Sequence, residues 1–192
     1  MGECIVQIIS SAIEVAQVLL KTALQRSMVI IDATAGNGND TLFLAENSQP
    51  GAHIYAFDIQ ETALAAVREK TSNYMDKITC ILADHKNITD FVKGRIDAGI
   101  FNLGYLPGGD HSLTTQPEST LQAIKNVLGQ LCLHGVLAVV VYPGHLTGRE
   151  EADKLDAYLQ TISKKDYTVG CYRMINHADT APFLYFIEKV RG

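Results

Sequence analysis

The sequence predicts an α/β fold: seven strands in one mostly parallel, doubly wound sheet, with an extra helix at the N-terminus and an antiparallel hairpin at the C-terminus. Three observations carry this prediction. Short β-branched runs alternate with helical patterns along most of the chain. The runs are apolar at consecutive positions, as strands covered by helices on both faces must be. The last two runs are separated only by residues 176–182 (NHADTAP), which supply turn residues and no room for a helix, so those strands pair antiparallel.

Taken in order, Val6, Ile9, Ile13, Val15, Ala16, Leu19, Leu20 and Leu24 recur at three- and four-residue spacing, which predicts an amphipathic helix over the first 25 residues. Strands are expected at 28–32, 53–58, 78–82, 98–103, 136–142, 167–175 and 183–190. Helices are expected at 40–46, 62–72, 117–131 and 149–163. A chain of 192 residues suits a single domain spanning 1–192. Hydrophobic residues make up 47% and charged residues 19%, a balance that excludes a disordered tail or linker as the main character of the chain.

No apolar run reaches the roughly 18 residues of a membrane span. The apolar N-terminus carries Glu3 and Glu14 and lacks the basic leader of a signal peptide. The expected location is the cytoplasm, without membrane contact. Cys4, Cys80, Cys132 and Cys171 stand far apart in apolar stretches with no C-x-x-C pair, so they read as core fillers, and no metal site is expected. A net charge of -5 argues against broad, sequence-independent nucleic-acid binding while leaving room for a local basic patch.

Ligands of open α/β sheets bind beyond the carboxyl ends of the strands, where strand order reverses. The turn after the first strand is therefore the place to look. There Asp32-Ala33-Thr34-Ala35-Gly36-Asn37-Gly38-Asn39-Asp40-Thr41 follows an apolar run and opens a helix. Gly36 and Gly38 permit backbone angles closed to other residues and a close approach of ligand to main chain. A dinucleotide site would prefer three glycines around a pyrophosphate; here Thr34 and Thr41 take the first and third places. Asp32 and Asp40 would repel a pyrophosphate but suit the ammonium and sulfonium of S-adenosyl-L-methionine. A tight turn without ligand is the plainer alternative.

Two further acids stand at successive strand ends. Asp58 closes the second strand, where a carboxylate can accept both ribose hydroxyls, with Gln60 just beyond. Asp84 follows the third, where it can receive an adenine amino hydrogen, with His85 beside it. Each Asp could instead cap a helix. Three acids at three strand ends favour the cofactor.

The fourth strand ends in Asn102-Leu103-Gly104-Tyr105, which resembles the N-P-P-Y motif of amino-group methyltransferases with both prolines replaced. That resemblance implies that Asn102 and a following carbonyl accept hydrogens from a substrate amine while Tyr105 stacks on the base. Without it, the residues read as an Asn turn and a packed tyrosine. Asp110 and His111 follow in a polar loop, and Tyr142-Pro143-Gly144-His145 follows the fifth strand. Asp110, His111 and His145 are the candidate proton acceptors, with His145 better fixed by its strand. His53, His134 and His177 read as structural.

Together DATAGNGND, AFD, LADH, FNLGYLPGGDH, YPGHLTGREE and PFLYFIEK resemble, over nearly the whole chain, the small bacterial class I methyltransferases labelled rRNA methylases. The resemblance implies a Rossmann-like class I methyltransferase. It also implies methylation of the aminomethyl nitrogen of wobble 2-thiouridine in tRNA, so that the anticodon loop is the expected partner. An aliphatic aminomethyl group titrating like lysine is neutral in only about one molecule in 2,500 at pH 7, so deprotonation matters. The cations Lys21, Arg26, Lys86, Lys93, Arg95, Arg149, Lys164, Lys165 and Arg173 are scattered; a homodimer would pool them. Rival readings are methylation of rRNA or a small amine, an NAD-type oxidoreductase, and a non-catalytic RNA-binding module.

Overall fold

The computed structural model describes residues 11–104 and 114–192. Ser11 caps the first helix, α1 (Ala12–Leu24). Its hydroxyl accepts from the Glu14 N–H while the Glu14 carboxylate accepts from the Ser11 N–H, a reciprocal pair that satisfies backbone donors at the helix start. Ala12, Ala16, Leu20, Ala23 and Leu24 form the buried stripe of α1. The upstream part of the expected helix, with Val6 and Ile9, lies outside the described residues.

The chain continues through β1 (Val29–Asp32), α2 (Asn39–Asn47), β2 (His53–Asp58), α3 (Glu61–Lys70), β3 (Ile78–Leu82), α4 (Ile88–Phe91) and β4 (Ile96–Asn102). It ends with α5 (Pro117–Gln130), β5 (Leu131–Val141), α6 (Leu146–Leu159), β6 (Tyr167–Tyr172) and β7 (Phe183–Lys189). The sheet order is β3-β2-β1-β4-β5-β7-β6. β1 to β5 run parallel; β7 lies antiparallel between β5 and β6. The expected fold class therefore holds, and the strand order reverses between β1 and β4.

The unbroken apolar runs are explained by the layers. In β5, Leu137, Val139 and Val141 pack with α4, α5 and α6, while Ala138 and Val140 pack with α1, α2 and α3. Neighbouring strand residues face opposite ways, so a strand with helices on both sides must be apolar at each position.

Boundaries differ where local features override the pattern. β5 begins at Leu131, directly after α5, ahead of the expected start at 136. Ile96 pairs with Leu131 but Ala98 with Val136, so Cys132 to Gly135 bulge out, with His134 at φ 62°. β6 ends at Tyr172 instead of running to 175. Short α4 and two 3-10 turns, Ser72–Lys77 and His85–Asn87, were not expected, being too brief to show a period. Among the described residues no helix is long and apolar enough to cross a membrane.

Candidate active site

Beyond Asp32 the chain crosses to α2 through a turn in which Gly36 and Gly38 have φ of 50° and 75°. This left-handed region costs glycine little. At Gly38 an added Cβ would also lie 3.0 Å from Val67 Cα, so close packing of α3 demands glycine a second time. Asp58 fixes the turn from the neighbouring strand. Its Oδ2 accepts from the Gly36 N–H and its Oδ1 from the Gln60 N–H, each at 2.9 Å.

A cavity of about 630 Å³ opens at this carboxyl edge, within the range of about 300–1,000 Å³ usual for small-molecule sites. Thr34, Gly36, Asn37, Asn39 and Asp40 line one wall; Asp58, Ile59, Gln60, Ala83, Asp84 and His85 line the next. The rest of the lining comes from Asn102, Leu103, Gly104, Thr114, Thr115, Gln116 and Ser119, together with Tyr142, Gly144, His145 and Thr180. Most of the expected site residues thus meet in one place. Asp32, Gly38 and Thr41 do not line it, and Tyr105, Asp110 and His111 lie outside the described residues.

Asp32 stands behind the turn, fully buried, and serves it from within. Its Oδ2 accepts from the Thr41 hydroxyl at 2.6 Å and its Oδ1 from the Thr34 N–H at 3.2 Å. Burial, and then the charge of Asp40, raise its pKa from 3.8 to about 7. An acid with a raised folded-state pKa gives stability that is complete below its unfolded pKa and lost as pH rises through the folded one. Asp32→Asn can keep both contacts, because the Thr41 hydroxyl can turn to accept. The difference in Tm, variant minus wild type, is therefore expected to grow as pH rises from 5 to 8. A pH-independent difference in calorimetric scans would show that Asp32 is not a buried acid of this kind.

Asp40 faces the cavity. Its Oδ2 accepts from Asn102 Nδ2 at 3.0 Å and its Oδ1 from Gln17 Nε2 of α1 at 3.2 Å. Burial raises its pKa, and these two amides oppose the rise. The contact orients the Asn102 amide with its Oδ1 as acceptor, while the Asn102 N–H donates to Thr34 Oγ1 at 2.7 Å. The Tyr142 hydroxyl also bonds to the Asn102 side chain, and burial raises its pKa. Gln17 was invisible to the sequence reading, because a polar residue beside an apolar stripe carries no motif.

Asp84 Oδ1 accepts from the Lys86 N–H at 3.0 Å and from the Ser119 hydroxyl of α5. Burial alone would raise its pKa, but Ser119, the Lys86 N–H and the Lys86 ammonium hold it below the usual value. His85 packs edge-on against Phe101, and burial lowers its pKa, so its ring is neutral. His145 caps α6: its Nδ1 accepts from the Gly148 N–H at 3.0 Å. That cap explains why α6 begins at Leu146, ahead of the expected 149. In the neutral ring the proton then sits on Nε2. Among the described residues no cluster of metal-ligating side chains occurs.

The family model described as "Putative rRNA methylase" matches residues 54–188. The chain belongs to this family. A chloroplastic tRNA (mnm(5)s(2)U34)-methyltransferase of Arabidopsis thaliana is 34% identical over 93% of this chain and 69% of its own length. Two solved structures agree. A "putative rRNA-methylase" from Clostridium thermocellum is 36% identical, with a TM-score of 0.92 over 95% of this chain and 100% of its own. A "putative methyltransferase" from Streptococcus mutans in complex with SAH is 38% identical, with a TM-score of 0.85 over 95% and 99%. The enzyme is an S-adenosylmethionine-dependent methyltransferase of class I fold.

The donor set suits that cofactor. Asp58 offers a carboxylate for vicinal hydroxyls, Ile59 and Ala83 apolar faces for a ring, and Asp40 a buried carboxylate at the cavity lining for a cationic group.

Proposed function

We propose that the enzyme methylates the aminomethyl nitrogen of a modified wobble uridine in the tRNA anticodon loop, in the cytoplasm. The observation that carries this reading is the Asn102 amide, held by Asp40 at the end of β4 with its Oδ1 turned to accept. A neutral amine carries N–H groups for such an acceptor to hold while its lone pair stays free to react. The 34% identical relative named for mnm(5)s(2)U34 supports the choice of acceptor.

The cofactor supplies a methyl group on a cationic sulfur, which a lone pair can displace. The residues of this chain supply alignment and an unprotonated nitrogen. Asn102 Oδ1 accepts one N–H and so aims the lone pair. Desolvation in the cavity lowers the ammonium pKa, and Asp40 is the anion within reach of the amine to take up its proton. His145 shapes the cavity wall: its Nδ1 accepts from the Gly148 N–H and its ring lines the cavity. An acidic protein reading one splayed nucleotide relies on stacking and edge contacts more than on a phosphate track.

Nucleoside mass spectrometry is the test. Purified enzyme with S-adenosylmethionine should convert aminomethyl-thiouridine in tRNA to its methylaminomethyl form, and tRNA from a deletion strain should accumulate the precursor. No conversion and a normal deletion profile would sink the tRNA assignment and leave the methyltransferase standing.

A further inference from the structure

Glu151, like Asp32, is a buried acid outside the cavity lining. It lies on α6, is 1% exposed, and meets no cation in any recorded ion pair among the described residues. Its Oε2 accepts from the Thr115 hydroxyl at 3.0 Å and its Oε1 from the Thr120 hydroxyl at 2.5 Å. Burial raises its pKa from 4.5 to about 7, and the two hydroxyls only partly oppose this. A buried carboxylate held by two neutral donors destabilises a fold relative to an apolar side chain of the same size. Stability therefore does not account for it.

The contacts of its two partners suggest what it does. Thr115 Oγ1 also accepts from the Gly104 N–H at 3.0 Å, and the Thr115 N–H donates to the Gly104 carbonyl at 2.9 Å. Thr120 Oγ1 lies 3.4 Å from His85 Nε2. Gly104, Thr115 and His85 all line the cavity. Gly104 has φ 123°, a conformation that only glycine adopts readily, two residues beyond Asn102. An ionised Glu151 accepts at both oxygens, so it obliges both threonine hydroxyls to donate. That turns the remaining lone pairs of Thr115 Oγ1 toward the Gly104 N–H.

We propose that Glu151 is a positioning residue for methyl transfer: through Thr115 it fixes the Gly104 backbone, and with it the acceptor wall that begins at Asn102. The proposal rests on the reading of that wall as the place where the amine binds. A small misplacement of a reacting group costs far more in rate than in binding.

Glu151→Gln keeps the shape and puts an NH₂ group against one of the two hydroxyls. Thr115→Val removes the relay, and Thr115→Ser restores it. Steady-state methylation of aminomethyl-thiouridine tRNA should show kcat lower by about 10- to 100-fold in Glu151→Gln and Thr115→Val, with KM for tRNA within about threefold. Thr115→Ser should stay within about threefold of wild type. Affinity for S-adenosylhomocysteine, measured by calorimetry, should be unchanged in all three. Unchanged kcat in Glu151→Gln, or equal losses in Thr115→Val and Thr115→Ser, would overturn the proposal, as would a matching loss of S-adenosylhomocysteine affinity. If Glu151→Gln does not fold, the threonine pair decides alone. Failure of the wild type to methylate this tRNA would instead refute the substrate reading.

Discussion

Asn102→Ala is expected to lower kcat for tRNA methylation by about 10²- to 10³-fold, the cost of removing one oriented polar group from a reacting centre. The side chain stands at the end of β4 with its Nδ2 bound to Asp40, and its Oδ1 is the acceptor proposed for the amine N–H. Affinity for S-adenosylhomocysteine should fall by less than about tenfold, the worth of one hydrogen bond, because Asp40 keeps its contact from Gln17. The two measurements separate acceptor from cofactor. Equal losses in rate and in S-adenosylhomocysteine affinity would move Asn102 to the cofactor wall.

Gly148→Ala is the substitution with the largest expected effect on stability, and it runs against helix propensity. Alanine in a helix interior normally gains about 1 kcal/mol over glycine. At Gly148, however, the new Cβ would lie 2.2 Å from the Tyr142 carbonyl oxygen and 3.0 Å from Cε1 and Nε2 of His145. The first of these is backbone and cannot swing away. Overpacking of this kind costs about 2–3 kcal/mol, a net loss of about 1–2 kcal/mol after the propensity gain, so Tm should drop by about 2–8 °C in a domain of this length. Because the same methyl displaces the His145 ring that lines the cavity, rate should fall as well. Gly129→Ala is the control: nothing lies within 4 Å of its Cβ on α5, and the same change there should be neutral or mildly stabilising. Equal Tm values for the two variants would show that α6 can shift to make room.

The fold was legible because burial on both faces leaves a mark at consecutive positions, as in Leu137 to Val141 of β5. The acids at strand ends were legible for a related reason: Asp58 and Asp84 interrupt apolar runs where the sheet stops. Roles behind the site were not. Asp32 and Asp40 look alike in sequence, yet one is sealed beneath the turn and the other opens on the cavity, a difference set by which face of β1 and α2 each side chain leaves. Gln17 and Glu151 act across long gaps in sequence, by contacts with Asp40 and Thr115 that only the packed layers create. His145 was legible as a site residue, but its cap on Gly148, which decides where the ring proton sits, is a matter of three residues' geometry.

The position of β7 sets the order in which the site can come apart. Among the described residues β6 is paired to the sheet only through β7, and β7 joins it to β5, so any opening that frees β7 carries β6 and the intervening chain with it. Thr180, on that intervening chain, lines the cavity. Strands β1, β2 and β3 lie in the parallel part of the sheet, outside this unit. Hydrogen exchange should accordingly be faster in β6 and β7 than in β1, β2 and β3.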